Sequence, residues 1–303
     1  MATTSISVVI NCYTEGRLLL EAVASAEAQR PAPLEIILVN DASPDAATDA
    51  ACDEAERRGC RVLRRVVNGG LSAARNDGFD AARGEVMVPL DADDLLPPGS
   101  LERIGRAFDA TPAADFVYGA YLRQTGPGVS QMVTPGPPNL ARLLAAKPLW
   151  VTTQWDLLGT TPLRRTLWER AGRYDTSYGT RDLHDVEFWL RAISVSHGHA
   201  CADGPIYVWR KYLGNTSRTV GPEAWARLAT EHLGTYRRLG LEHRAHELLL
   251  LDAKWRGDAE AVSRQRALLL RSLRPLRARP STLASLLVPG AMVRALRSLG
   301  LRR

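Results

Sequence analysis

The first ninety residues alternate between two hydrophobic patterns. Short apolar runs at residues 6–10, 35–39, 61–67 and 86–90 predict strands. Segments 18–29, 48–58 and 71–82, with apolar residues at helical spacing, predict the helices between them. Pro31 and Pro33 stop the first helix, Gly59 follows the second and Gly84 the third. A βαβαβαβ order implies a mostly parallel sheet flanked by helices, with right-handed crossovers. The polar loops around Tyr13, Asp41 and Asp91 then share the rim at the carboxyl ends of the strands, where open α/β sheets bind ligands.

Beyond residue 100 the pattern predicts a helix at 101–108, a strand at 115–121 and a helix at 163–171. Residues 124–138 are rich in Gly and Pro and predict a loop, either a lid over a ligand or a plain surface connection. Residues 150–161 carry aromatic and small polar side chains, which suit a buried strand or the border of a ligand site. From residue 221 the pattern is helical, at 223–239, 242–255, 259–273 and 281–301, with a break between Pro275 and Pro280 and a kink at Pro289.

Charge divides the chain unevenly. The net charge is +6, yet residues 254–303 hold 12 basic and 2 acidic side chains, or +10, leaving −4 for the rest. The arginines at 264, 266, 271, 274, 277 and 279 alternate with leucines, a pattern suited to an anionic membrane surface or to a solvated helical appendage. Nucleic acid is not expected as a partner, because this tail has one aromatic residue, Trp255, and no readout motif. The four cysteines show no metal-ligand spacing and suggest a reducing compartment. The start of the chain lacks the basic and apolar regions of a signal peptide, and no apolar run is long enough to span a bilayer.

Chemistry concentrates in two stretches. Asp91, Asp93 and Asp94 end the strand at 86–90, and such mutually repelling carboxylates suit a hard divalent cation bridging to phosphate, or else form a solvated acidic turn. In Leu183-His-Asp-Val-Glu-Phe-Trp-Leu-Arg191, Asp185 is either a reactive carboxylate or a helix cap. Glu15 can likewise act at the rim or favour a helix start.

Four blocks carry a family resemblance: Ser7-Val-Val-Ile-Asn-Cys-Tyr-Thr-Glu15, Ile37-Leu-Val-Asn-Asp-Ala-Ser43, Asn68-Gly-Gly-Leu-Ser-Ala-Ala-Arg-Asn76 and Leu90-Asp-Ala-Asp-Asp94. Their order and spacing resemble the family 2 glycosyltransferases of the GT-A fold over roughly residues 5–217. The resemblance implies a GT-A nucleotide-diphospho-sugar transferase fold with a catalytic domain at 1–220 and a basic helical extension at 221–303. It implies inverting transfer of a sugar from a nucleotide diphosphate sugar to a glycan, lipid-linked or other hydroxyl acceptor, in polysaccharide or glycoconjugate synthesis. The family's habit points to a uridine donor, with thymidine and guanosine as alternatives.

By that match Tyr13 stacks beside the base, Asp41 accepts its imide hydrogen bond, Asn11 touches the base and Glu15 lies at the same rim. Asp91 meets the ribose or the metal shell and Asp93 ligates Mg2+ or Mn2+. Arg75 could neutralise the diphosphate, as could Arg210 and Lys211, or be a surface arginine on its helix. Asp185 is the catalytic base and Glu187 a structural carboxylate. Asn40 stands where aspartate is commoner, His184 where the family has Glu, and Tyr212 where many members have His. The implied location is cytoplasmic, with peripheral contact at the inner face of the membrane. Two other readings fit parts of the pattern. A nucleotidyltransferase would need a Gly-rich, basic phosphate loop after the first strand, which Asn-Cys-Tyr-Thr-Glu-Gly lacks, and a non-catalytic nucleotide-sugar-binding scaffold would not need Asp91, Asp93 and Asp185 together.

Overall fold

The computed structural model describes residues 4–126, 128–145, 158–178, 183–211, 220–273 and 280–294. The chain runs β1 (Ile6–Cys12), α1 (Arg17–Glu27), β2 (Glu35–Asn40), α2 (Ala46–Arg57), β3 (Arg61–Arg64), α3 (Gly70–Ala81), β4 (Val86–Asp91), α4 (Ser100–Ala110), β5 (Phe116–Gly126) and β6 (Val129–Val133). It continues through α5 (Leu140–Leu144), a 3-10 turn (Leu158–Thr160), β7 (Leu163–Arg164), α6 (Arg165–Ala171), α7 (His184–Val195) and β8 (His199–Arg210). The remaining helices are α8 (Pro222–Glu231), α9 (Leu233–Arg238), α10 (Glu242–Arg256), α11 (Ala259–Ser272) and α12 (Pro280–Leu287).

The described residues divide into two compact units. The first comprises residues 4–138, 158–178 and 184–211, apart from position 127. Its sheet has the order β3-β2-β1-β4-β7-β5-β6, with β8 on the other side of β5. β3, β2, β1 and β4 are parallel, as the βα alternation predicts. β7 is antiparallel to β4 and β5, while β8 runs parallel to β5.

Strand alternation sorts the core onto two faces. Val8, Ile10 and Cys12 of β1 pack with Leu19 and Val23 of α1, Cys52 of α2 and Ile104 and Phe108 of α4. Val9 points the other way, toward α3. There Gly78 permits close approach, since a Cβ at that position would lie 2.4 Å from Val9 Cγ1. The helix therefore accepts glycine in its interior, a choice that costs about 1 kcal/mol relative to alanine. An aromatic cluster extends this face: Phe79 meets Trp168 edge-on at 5.1 Å and Tyr174 stacks on Phe188 at 4.2 Å.

The structure departs from the predicted elements at three places in this unit. β3 ends at Arg64, because its register with β2 stops at Asn40 and the next residue, Arg65, turns toward Asp41. Within the predicted loop, Val129–Val133 form β6, antiparallel to the end of β5, with a register shift between Gln124 and Gly126. Leu163 and Arg164 are a short strand against β4, and the predicted helix begins only at Arg165.

The second unit comprises residues 139–145, Leu183 and the described residues from 220 onward. α10 is its centre, packed against α8, α11 and α12. Instead of kinking one long helix, Pro289 starts a fresh helical turn: its carbonyl accepts the Met292 and Val293 amides, 3.0 and 3.2 Å away.

Candidate active site

The parallel register places Asn11 opposite Asp91 and Cys12 opposite Asn40, so the ends of β1, β2 and β4 meet at one rim. Tyr13 is exposed there. Glu15 turns back on its own loop, accepting the amides of Tyr13 at 2.6 Å and Thr14 at 2.9 Å. Its carboxylate thus fixes the loop that carries Tyr13. Asn11 is buried, and neither atom of its side-chain amide has a protein partner among the described residues. Buried amides are ordinarily hydrogen-bonded, so this one is open to a water or ligand at the rim.

Asp41 is buried and accepts three donors: Arg65 Nη1 at 2.5 Å, Gly69 N at 2.9 Å and Gly70 N at 2.8 Å. The latter two are orphan amides at the start of α3, where a carboxylate is favoured. Asp41 therefore anchors the loop into α3 whatever else it binds. Asn40 has a use of its own. Its Nδ2 donates to Asp49 Oδ1 at 2.6 Å while its Oδ1 accepts Ser43 N at 2.8 Å. An aspartate at position 40 could not donate to Asp49.

Arg75 lies at the centre. It is 1% exposed, and its guanidinium bridges two carboxylates from distant parts of the sequence. Nη2 pairs with Asp91 Oδ1 at 3.0 Å and Nη1 pairs with Asp185 Oδ1. Tyr174 presents its ring face 5.6 Å from the guanidinium. Asn76 holds that tyrosine in place, donating to its carbonyl and accepting its amide at 2.9 Å each. Gly159 of the 3-10 turn closes over the pair. A Cβ there would sit 2.7 Å from Asp185 Oδ2 and 3.0 Å from Arg75 Nη2. Arg75 was expected to meet a diphosphate; in this structure it is engaged with Asp91 and Asp185. Arg210 is likewise engaged, through its guanidinium with Glu21 and the Asp93 carbonyl. Lys211 sits over the Trp209 ring at 5.0 Å. Tyr212 lies outside the described residues.

Asp185 occupies the first turn of α7, inside the helix rather than at the capping position before it. The helix dipole favours an anion there. Burial alone would raise its pKa, but the Arg75 guanidinium, and His184 after it, outweigh burial and hold the carboxyl well below the usual carboxylate range. His184 Nε2 lies 3.1 Å from Asp185 Oδ1 and 3.4 Å from Arg75 Nη1. Glu187 forms a bidentate pair with Arg191 at 2.6 and 2.8 Å, and Arg191 also donates to the Arg173 carbonyl. That carboxylate is part of the scaffold.

The acidic turn behaves differently from Asp185. Asp93 is pushed up to about 6, first by burial and then by the charges of Asp91 and Glu15, partly offset by Arg210. Asp94 is raised well above the ordinary value by burial and by Asp91 and Asp93. It accepts Tyr207 Oη at 2.8 Å and Arg210 N at 2.7 Å, and Tyr207 Oη in turn accepts the Asp91 amide at 3.2 Å. This tyrosine was not anticipated from sequence, since nothing within β8 marks it as reaching Asp94. No group of three potential metal-ligating side chains gathers at ligand spacing among the described residues. Magnesium-type ions are commonly held by one or two carboxylates with substrate phosphates completing the shell. Asp93, strained by its acidic neighbours, fits such an ion brought in with a diphosphate.

Comparisons with known proteins extend the picture from site to family. The model for glycosyl transferase family 2 matches residues 7–181. The uncharacterized glycosyltransferase EpsJ of Bacillus subtilis is 30% identical over 223 residues, covering 68% of this chain and 61% of that protein. The undecaprenyl-phosphate 4-deoxy-4-formamido-L-arabinose transferase of Pseudomonas paraeruginosa is 36% identical over 104 residues, covering 33% of this chain and 31% of that one. The crystal structure of S. aureus TarS 1-349 in complex with UDP-GlcNAc superposes with a TM-score of 0.63 at 20% identity, covering 98% of this chain and 92% of that one. At that identity the likeness speaks for the fold, and the fold is GT-A. The chain thus spans between about a third and three-fifths of the curated relatives named here. With a family model covering more than half of it and a 30%-identical relative covering two thirds, the chain belongs to glycosyl transferase family 2.

Proposed function

We propose that this protein transfers a sugar from a nucleotide diphosphate sugar, with UDP as the nucleotide, to an acceptor hydroxyl with inversion at the anomeric carbon. The observation that carries this reading is the Arg75 bridge. It brings Asp91, on the rim that would face the donor, and Asp185, on a helix far along the chain, to opposite sides of one guanidinium. In this reading the base lies on exposed Tyr13 and the ribose near Asp91. Asp41 accepts the imide N–H with its remaining lone-pair capacity, and Asn11 supplies the unpaired buried amide beneath them.

Asp93, with Asp91 beside it, would hold Mg2+ or Mn2+. When bound, that ion supplies charge neutralisation for the departing diphosphate. Asp185 is ionised at neutral pH and accepts the proton of the acceptor hydroxyl while that oxygen attacks the anomeric carbon. The bond from the anomeric carbon to the phosphate oxygen breaks, and its electron pair leaves with the nucleoside diphosphate. A carboxylate held this far below its usual range is a weak base in the ground state, so the proton moves late, as the attacking oxygen acquires positive charge. Arg75 keeps the oxygen that faces it occupied and leaves the other, Oδ2, for the acceptor.

The acceptor is proposed to be a glycan or lipid-linked hydroxyl; the name of the Pseudomonas relative, an undecaprenyl-phosphate 4-deoxy-4-formamido-L-arabinose transferase, supports a lipid-linked acceptor. Lipid-linked acceptors and the +10 charge of residues 254–303 together support peripheral contact with an anionic, inner-face membrane surface, and hence a cytoplasmic location. No helix among the described residues is long and apolar enough to cross a membrane. The test of the catalytic reading is a thermal-shift series of nucleoside diphosphates with Mn2+ or Mg2+. A ligand at 100 times its dissociation constant stabilises by about 2.7 kcal/mol. Stabilisation by UDP with the cation is expected; pyrophosphate release in place of nucleoside diphosphate release would replace this reading with nucleotidyl transfer.

A further inference from the structure

The last helix of the second unit is inside out. α12 has the sequence Pro-Ser-Thr-Leu-Ala-Ser-Leu-Leu, and residues 280–293 contain no charged side chain. An amphipathic helix of a globular protein buries its leucines. This one buries Thr282 and Ser285, while Leu283 is 49% and Leu287 77% exposed. The inward face is polar for a specific reason. Thr282 Oγ1 donates to Glu247 Oε2 of α10 at 2.9 Å, and Glu247 is fully buried. Lys254 Nζ donates to the carbonyls of Ser285 and Val288 at the other end of α12. Hydrogen bonds to two charged residues of α10 thus dock α12 and set its rotation, and that rotation turns Leu283 and Leu287 outward while Leu286 is half-buried.

Two more large apolar side chains are exposed among the described residues of the same unit: Met292, 58% exposed in the turn after Pro289, and Leu270, 53% exposed near the end of α11. Both α11 and α12 pack on α10, and the exposed charges of α11 past its first turn are cationic. Arg264, Arg266 and Arg271 of α11 and Arg294 after Met292 are exposed. Arg294 Nη1 donates to the Lys254 carbonyl at 3.4 Å, which places a guanidinium beside the residue that holds Ser285 and Val288. Single exposed leucines are ordinary, but an uncharged helix showing its leucines beside arginines fits a surface that is apolar below and anionic above.

We infer that α12 and the turn after it are the part of the chain that enters an anionic lipid surface, with Leu283, Leu287 and Met292 inserted between headgroups and the arginines of α11 paired with lipid phosphates. The inference rests on the membrane contact proposed above and names the residues that make it. Charge complementarity selects this occupant over an uncharged apolar partner: a +10 segment meets a surface of negative potential.

The test uses the full chain and co-sedimentation with vesicles of phosphatidylcholine containing phosphatidylglycerol, or of phosphatidylcholine alone. The wild type is expected to bind the anionic vesicles and to bind less as salt rises. A Leu283→Glu/Leu287→Glu variant alters only exposed side chains and is expected to fold. Full burial of a leucine is worth about a factor of ten or more in partitioning, so the pair should cost roughly tenfold to a hundredfold in binding. Arg264→Ser/Arg266→Ser/Arg271→Ser is expected to weaken binding and flatten its salt dependence. Stabilisation by UDP and Mn2+ in each variant reports separately on the first unit. If the leucine variant binds like the wild type while the arginine variant does not, the membrane contact stands and the inserted face is overturned. If no form binds, both fall. If light scattering instead finds a dimer that the leucine variant abolishes, a second copy covers the face and the inference is wrong.

Discussion

Replacing Arg75 with Met tests the centre of the site because it preserves approximate size and removes one charge. Arg75 is 1% exposed, whereas the side chains of its partners Asp91 and Asp185 are 35% and 31% exposed. Removing one member of a buried ion pair costs about 3–5 kcal/mol, while exposed pairs contribute about 0–1. With one buried member and two partly solvated ones, we expect a loss of about 2–4 kcal/mol. At about 2–4 °C per kcal/mol for a chain of this size, the melting temperature should fall by roughly 5–15 °C. The assay is urea and thermal denaturation of Arg75→Met, Asp185→Asn and the double variant. In the Asp185→Asn background the arginine has lost one of its two carboxylates, so Arg75→Met should cost less there, by about 1–2 kcal/mol, a coupling typical of residues in contact. Additive costs would show that Arg75 and Asp185 do not hold each other, and the bridge would lose its place in the account.

Gly159→Ala should retain donor binding but slow turnover on the order of tenfold, since its Cβ would lie 2.7 Å from Asp185 Oδ2; an unchanged kcat would show that the 3-10 turn does not position the base. Asp93 titrates at about 6, so cation-dependent nucleotide binding, which needs its ionised form, should be full above that pH and fall about tenfold per unit below it. The stability term of the cation-free protein runs the other way: the ionised carboxylate is disfavoured by folding, so its destabilisation is complete above about pH 6 and is relieved as pH falls toward about 4, and Asp93→Asn should remove that component of the pH dependence. Asp41→Ala should cost stability as well as nucleotide binding, about 2–4 kcal/mol, because it strands Arg65 and the first amides of α3; loss of binding at wild-type stability would contradict the anchoring role.

How much of this was legible in the sequence follows from the range over which each contact acts. The runs that became β1, β2 and β4 are buried on both faces and read as continuous apolar segments, so the parallel half of the sheet and its rim could be written down directly. The four motif blocks brought Tyr13, Asp41, Arg75, Asp91 and Asp93 into view as candidates, and the HDVEFWLR stretch did the same for Asp185. What stayed hidden was pairing across distance. Arg75 sits on a small-residue helix, and nothing within twelve residues of it reveals that its guanidinium is shared with a carboxylate 110 positions away. Tyr207 and Asp94 are separated by 113 positions and joined only by the fold. The pairing of β5 with β6 was hidden because glycine-rich segments mark loops in isolation, while these antiparallel partners are set by register across the sheet. The facing of α12 stayed hidden too: its helical pattern is legible, but only the hydrogen bonds to Thr282 and Ser285 show that Leu283 and Leu287 face outward.

Asp185→Asn is the most direct test of the central claim. The amide keeps the size of the carboxylate and can still accept from Arg75, but it cannot take a proton from an acceptor hydroxyl. Donor binding is measured by the thermal shift with UDP and Mn2+, and turnover by release of nucleoside diphosphate in the presence of acceptor. The account predicts a folded protein, a donor-induced shift like that of the wild type, and turnover lower on the order of 10²–10⁴-fold, or roughly 3–5 kcal/mol in the barrier. Sugar transfer at the wild-type rate by Asp185→Asn would contradict the account and place the base elsewhere.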